Sequence, residues 1–441
     1  MEESKSKKRT KPEGTINESQ IKSKKLKLED VNWTDGKRIF VNRLGLYSAD
    51  SIKPHFLTFS DVLHPTLGKT PITSKSQVVK KVIFTTYTYD QELIKSVIDA
   101  KLPIVIIRDR PEGLHVKVKK DKENSNVTHI FPAKALGLTY GVFHAKLILL
   151  EFAKFLRVVI TSANLTVEDW TLLSQVIWLQ DFPLNKQTNT HPFYCQLRDF
   201  LKCCLPEEYK LPIAIKDYDY KEAKVDLVSS VVGRFTGEKI AKYGLGRIKE
   251  IMNGTEFKVK PTLTYQTSSI GSLKKKYLKD LYKAWSGNVK GDFKIEIQYP
   301  TKDYMKNTIL GTDAGNCIIL SKKTFKDEEF PVSSLREVEP LEDYKGHIFH
   351  AKVGILTSKH EINDNTAIYI GSHNISSSAW GKSEKNNTQL CIANYELGII
   401  FKPEHNSREM KEAIIRALMF KFPPRKYKKG DVPWIYEEHA K

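Results

Sequence analysis

Long hydrophobic runs are missing from this 441-residue chain. No apolar stretch reaches the roughly 18 residues that cross a bilayer, and no signal-peptide core follows the N-terminus, so a soluble protein is expected. Cysteine is scarce: Cys195, Cys203, Cys204, Cys317 and Cys391 are the five, and no two form a C-x-x-C pair. An odd, scattered set does not suggest a disulfide framework and fits a reducing, intracellular compartment, with adjacent Cys203 and Cys204 read as packing rather than as metal ligands. Metal signatures are absent too. Without H-E-x-x-H, a carboxylate cluster or paired Cys/His spacing, the sequence calls for no metal and no cofactor.

Acidic residues are outnumbered, 71 Lys and Arg standing against 52 Asp and Glu for a net charge of +19. Residues 1–30 hold nine basic against six acidic side chains, so the surplus belongs mainly to the rest of the chain. That excess points to a polyanion, with nucleic acid ahead of a membrane because no basic amphipathic helix with an aromatic face is evident. A surface made lysine-rich only for solubility is the competing reading. The segment 1–32, with "KSKKRTK" and "KSKKLK", lacks aromatics and periodicity and reads as a disordered basic tail. Its clusters fit nuclear import signals or a generic basic arm; nuclear residence is expected, with a mitochondrial pool left open.

Four letters occur twice. FHAK spans Phe143–Lys146 and again Phe349–Lys352, each running into an apolar strand, a short break, a second apolar strand, then Ser-x-Asn and a Trp. Asn164 and Trp170 are six apart, as are Asn374 and Trp380, and Ser162 and Ser372 each precede the Asn by two. A third His-x-Lys, His115 to Lys117, leads only into a polar stretch and serves as the chance control. The matched pair is therefore a duplicated structural unit. Duplication also answers the length, which exceeds what one core usually supports.

Strand and helix signals alternate from Trp33 onward: "KRIFVNRL", "KVIFTTYTY", "LPIVIIRD", "GVFHAKLILL" and "RVVITSAN" read as strands and "QELIKSVIDA" as a helix. The second half repeats the scheme with "FKIEIQYP", "NCIILSK", "FHAKVGIL" and "AIYIGSHN". The expected fold class is α/β, two similar α-β-α domains over residues 33–213 and 214–441 related by a pseudo-two-fold axis, with the site at their interface. Thr166 to Asp169 fits a helix-start cap, and "GLG" at Gly244 to Gly246 is read as a turn.

On a strand, His144 and Lys146 project to one face, as do His350 and Lys352. Two imidazoles, two ammonium groups and two Asn amides, Asn164 and Asn374, would then converge on one cavity. Such a cavity suits a phosphodiester: cations and amides hold the non-bridging oxygens, one His attacks phosphorus and the other protonates the leaving group. Buried structural histidines are the bland alternative, and doubling of the whole pattern argues against it.

These residues resemble the phospholipase D superfamily, whose duplicated motif reads H-x-K-x4-D. Its Asp is replaced here by Glu151 and Thr357, which is similar to the tyrosyl-DNA phosphodiesterase branch, as are "RVVITSANLT", "QVIWLQ", "SSIGSL", "GSHNISSSAWG", "TQLCIANYELGIIF" and "DVPWIY". The resemblance covers about residues 33–436 and implies a DNA repair hydrolase that removes tyrosyl peptides, remnants of stalled topoisomerase I, from DNA 3′ ends and leaves a 3′-phosphate. It makes His144 the nucleophile and His350 the general acid and base, with Lys146, Lys352, Asn164 and Asn374 on the phosphate. Gln175 and Glu396 would orient the histidines, a carboxylate suiting His350 as the acid. Ser268, Ser269 and Ser272 fall at DNA phosphate contacts, Tyr140 at a base-stacking position where relatives often have Phe, and Tyr436 in the peptide groove; Trp434 is read as core. A monomer is expected, since one chain carries both motifs. The other two readings are a phospholipase, disfavoured by the replaced Asp, and a non-catalytic nucleic-acid binder, disfavoured by the intact His/Lys pairs.

Overall fold

The computed structural model describes residues 39–45, 55–64, 79–95, 101–111, 117–132, 141–287, 292–402, 415 and 418–439. The basic tail, His115 and Tyr140 lie outside the described residues. Among the described residues no helix is long and apolar enough to cross a membrane.

Two mixed sheets carry the architecture. The nine-stranded sheet runs, edge to edge, Phe56–Leu57, Ile39–Asn42, Val176–Pro183, Phe155–Thr161, Leu147–Glu151, Lys81–Thr86, Ile104–Arg108, Val127–Ile130 and Val118–Lys120. The seven-stranded sheet runs Asp226–Ser230, Glu396–Phe401, Ala367–Gly371, Val353–Thr357, Thr262–Gln266, Ile295–Gln298 and Leu335–Arg336. Five consecutive strands match. From Val176–Pro183 to Ile104–Arg108 the neighbours are antiparallel three times and then parallel, and from Glu396–Phe401 to Ile295–Gln298 the same series recurs. The strand that follows each FHAK holds the same place in its sheet.

Near-continuous apolar sequences such as "LILLE" and "FLRVVIT" form these strands because both sheet faces are covered. Period-two alternation divides the first sheet: Leu147, Leu149, Val158 and Ile160 join a core continuous with Ile355, Ile370 and Trp380 of the second half. Ile148, Leu150, Val159 and Ile177 face a separate core with Phe59 and Trp170. The halves also interlock through backbone. Ile348–Phe349 pairs in parallel with Leu173–Ser174, and Phe143 bridges to Tyr395.

Three local expectations are corrected. His144 and Lys146 lie just before the strand Leu147–Glu151, and His350 and Lys352 between Ile348–Phe349 and Val353–Thr357, because the backbone at each histidine turns to the opposite half. The N–H of His144 donates to the Tyr395 carbonyl at 2.9 Å and that of His350 to the Ser174 carbonyl at 3.1 Å. "NCIILSK" contributes only Ile319–Leu320, paired with Ser269–Ile270 outside the main sheet. "GLG" is the first turn of the helix Gly244–Ile251. A Cβ on Gly244 would stand 2.2 Å from the Trp380 carbonyl oxygen and one on Gly246 1.9 Å from that of Ile240, so both glycines serve close backbone approach.

Candidate active site

Each histidine is held by a residue of the other half. Nδ1 of His144 lies 2.8 Å from Glu396 Oε2, and Nδ1 of His350 lies 3.0 Å from Gln175 Nε2. The orienting residues are fixed in matching ways: Ser162 Oγ donates to Gln175 Oε1 at 2.7 Å and Ser372 Oγ to Glu396 Oε2 at 2.6 Å. The same hydroxyls accept the N–H of Val176 at 3.0 Å and of Leu397 at 2.9 Å, the residues directly after Gln175 and Glu396. The Ser two positions before each motif Asn thus anchors the residue that reaches across. Nothing in the repeat spacing alone could assign it that task.

The expectation that the carboxylate partner suits His350 is corrected, because Glu396 stands behind His144. Burial alone would push the Glu396 carboxyl up, but His144, His373 and Lys146 outweigh it and hold it at about 2. An ionised carboxylate only accepts, so Nδ1 of His144 carries a hydrogen and Nε2 keeps its lone pair. Asn394 Nδ2 donates to the other oxygen, Oε1, at 3.0 Å. Burial lowers the pKa of His144, with Lys146 and Lys352 adding to the effect and Glu396 opposing it.

Lys146 Nζ donates to the His144 carbonyl at 2.6 Å, and Lys352 Nζ donates likewise to the His350 carbonyl. Burial lowers Lys146 to about 7 and Lys352 to about 8. An anion entering the site would offset this burial and favour the charged form of both lysines. Asn374 Oδ1 accepts from Thr267 Oγ1 at 3.0 Å, Ser268 Oγ at 3.2 Å and the Ser269 N–H at 3.1 Å, which leaves its NH₂ as the group to donate. Asn164 Oδ1 is buried without a hydrogen-bond partner among the described residues, and its NH₂ is the end that can donate to an anion.

His144 with Glu396 and His350 with Gln175 are therefore joined across the halves, each His carrying its Lys; Asn164 connects to Gln175 through Asp169, and Asn374 lies two residues beyond Ser372, which holds Glu396. Ser268 is buried behind Asn374, Ser269 is half-buried beside it, and Ser272 is exposed. Trp434 is fully buried, and half-buried Tyr436 opens the short helix Tyr436–Glu438. The positions that replace the motif Asp point elsewhere: Glu151 pairs with Lys81 at 2.9 Å and accepts from Tyr218 Oη at 3.0 Å, and Thr357 Oγ1 donates to the Glu361 carbonyl. Among the described residues no group of three His, Cys, Asp or Glu side chains is placed to hold a metal ion.

Three residues escaped the sequence reading. Tyr87, exposed just past Lys81–Thr86, has its ring 6.1 Å from that of His144. His373 is stacked on Trp380 at 4.2 Å and bonded to Ser230 Oγ at 3.0 Å and Tyr369 Oη at 2.5 Å, and burial lowers its pKa to about 3. Asp169, read only as part of a cap, lies 3.5 Å from Nδ1 of His350 through Oδ2. Its only sequence signal was an acid, adjacent to Glu168 and five residues beyond Asn164, where the second copy has Ala379.

The family model described as tyrosyl-DNA phosphodiesterase matches residues 42–429. Tyrosyl-DNA phosphodiesterase 1 of Arabidopsis thaliana is 27% identical over 405 residues, covering 77% of this chain and 66% of its own length. That of Drosophila melanogaster is 22% identical over 382 residues, covering 80% and 64%. The chain thus spans about two thirds of the length of these two curated relatives. The solved structure of yeast tyrosyl-DNA phosphodiesterase superposes with a TM-score of 0.68 at 15% identity, over 90% of this chain and 99% of that one, and has the same fold.

Proposed function

Because the chain belongs to the tyrosyl-DNA phosphodiesterase family, we propose that it hydrolyses the phosphodiester between a DNA 3′ end and a tyrosine of a topoisomerase I remnant, and other 3′ blocking groups. The observation that carries this reading is the 2.8 Å pair between His144 Nδ1 and Glu396, which leaves Nε2 of His144 as a nucleophile in a site lined by two lysines. Nε2 of His144 bonds to phosphorus, the bond from phosphorus to the phenolic oxygen breaks, and protonated His350 gives its Nε2 proton to that oxygen. Lys146, Lys352, Asn164 and Asn374 neutralise and hold the non-bridging oxygens as charge shifts. Neutral His350 then takes a proton from water, the hydroxyl oxygen bonds to phosphorus, and the bond from phosphorus to nitrogen breaks. A 3′-phosphate and free His144 result.

In this reading Ser269 and Ser272 face the DNA phosphates, with Ser268 acting by holding Asn374, while Tyr140 stacks on a base and Tyr436 lines the peptide side. The positive charge steers the polyanion, on single- or double-stranded ends, to a monomer working in the nucleus. The test is a single-stranded oligonucleotide with a 3′-phosphotyrosine, incubated with the protein in excess chelator. Conversion to a 3′-phosphate is expected; an unchanged substrate bound by folded protein would contradict the reading.

A further inference from the structure

His350 has a donor against its Nδ1. Gln175 cannot turn its amide over, because Ser162 Oγ donates to its Oε1 at 2.7 Å and its Nε2 donates to Asp169 Oδ2 at 3.1 Å. An N–H facing Nδ1 at 3.0 Å suits only a neutral ring whose Nδ1 lone pair accepts. A neutral ring cannot act as the acid, since loss of its remaining proton would leave an imidazolate. The acid must carry both protons, and its Nδ1–H then needs an acceptor. Asp169 Oδ2, at 3.5 Å, is the carboxylate within reach.

We infer that Asp169 is the positioning residue of His350, its carboxylate accepting the Nδ1 proton whenever Nε2 gives up or takes on a proton. The inference rests on the reaction proposed above. A helix cap is the plain alternative for this residue, since Thr166 Oγ1 accepts the Asp169 N–H at 3.1 Å. The second copy shows that a cap needs no carboxylate: Ser376 Oγ accepts the N–H of Ala379 at 3.2 Å in the same way. Asp169 is moreover buried and bonded through Oδ2 to the Asn164 N–H at 2.6 Å, on the site side of its helix. Burial would raise its pKa, but His350, the Asn164 N–H and Lys352 hold it at about 2, so it is ionised at neutral pH. The charged groups around His350 are Asp169, Lys352 on its own segment and Lys146 on the other motif; burial and Lys352 bring His350 down to about 4, and Asp169 opposes them. The anionic phosphodiester offsets the two lysines when it enters, leaving Asp169 to hold the Nδ1 proton.

The experiment compares wild type, Asp169→Asn and Asp169→Glu on oligonucleotides ending in 3′-phosphotyrosine or in a 3′-(4-nitrophenyl) phosphate, under single-turnover conditions. 4-Nitrophenol is the more acidic alcohol and leaves without a proton. Asp169→Asn should slow tyrosyl release by roughly 10²-fold or more and nitrophenyl release by less than about tenfold, with partial recovery in Asp169→Glu. Equal loss on both substrates would overturn the inference. A second readout needs no turnover. In ring-resonance NMR, assigned with His350→Gln, the His350 protonation midpoint should fall by about one pH unit or more in Asp169→Asn, a tenfold shift in equilibrium; an unmoved midpoint would also overturn it. A wild type inert on both oligonucleotides contradicts the proposed reaction instead, and the NMR midpoint then still decides the role of Asp169.

Discussion

Glu396 and Gln175 are one methylene-chain type with different ends, a carboxylate and an amide, and that difference breaks the symmetry of the repeat. The carboxylate takes a hydrogen from Nδ1 of His144, whereas the amide presents one to Nδ1 of His350. Replacing Glu396 by Gln therefore does more than remove a charge. Ser372 Oγ and Asn394 Nδ2 both donate to the present oxygens, so an amide NH₂ there meets a donor whichever way it turns. Glu396→Gln should lower turnover of the tyrosyl substrate on the order of 10²-fold or more, by loss of the tautomer that the proposed role of His144 as nucleophile requires; steady-state kinetics at neutral pH would check this, and near-wild-type kcat would contradict it. The sequence made the two His/Lys pairs and the two Asn legible because type and spacing repeat, whereas Gln175 and Glu396, eleven and twenty-two residues after their Asn, match in neither and were placed only by the family resemblance. It could not show which histidine each orienting residue serves, since the pairing crosses between halves, nor the place of Asp169, which has no counterpart in the second copy.

Elements deliver these side chains through close backbone contact. Gly371 and Gly398 stand directly opposite in neighbouring strands, and the Tyr369 phenol lies across them, 2.3 Å from where a Gly398 Cβ would stand. The same phenol binds His373 Nδ1 and accepts its backbone N–H at 3.1 Å, between Ser372 and Asn374. Gly398→Ala pushes Tyr369 off this contact. It should cost about 1–3 kcal/mol by overpacking and lower turnover at temperatures where the protein stays folded; chemical denaturation paired with the activity assay would measure both, and unchanged stability would contradict the packing described. Strand positions were legible from apolar runs, whereas the His/Lys segments were misread as ladder strands. Their sequence is apolar enough for a strand, yet the backbone N–H groups of both histidines donate to Tyr395 and Ser174 of the other half. Likewise "GLG" carries turn residues but opens a helix, since the close approach of Trp380 and Ile240 demands glycine there.

At the scale of the molecule, each half finishes the site of the other, and so the buried charges depend on the whole fold. His350, at about 4, and His373, at about 3, stay neutral when folded but take up protons near 6.5 when unfolded. The unfolded chain thus binds more protons below pH 6.5, and stability falls as pH drops. Asp169 and Glu396, both held at about 2, extend the loss below their unfolded range near 4. The melting temperature should decline steadily from pH 7 to pH 4; a flat or rising profile by calorimetry would contradict this burial. The two-part α/β plan was legible from the duplicated pattern, because a repeat announces two similar sheets. The interlocking strands Ile348–Phe349 and Leu173–Ser174 were not, being two residues each.

The most direct measurement is to trap the intermediate and map it. His350→Ala, mixed with the 3′-phosphotyrosyl oligonucleotide and quenched at alkaline pH to preserve a bond from phosphorus to nitrogen, should carry the DNA on His144, located by peptide mapping. No adduct, or an adduct on another residue, would contradict the assignment of His144 as the nucleophile.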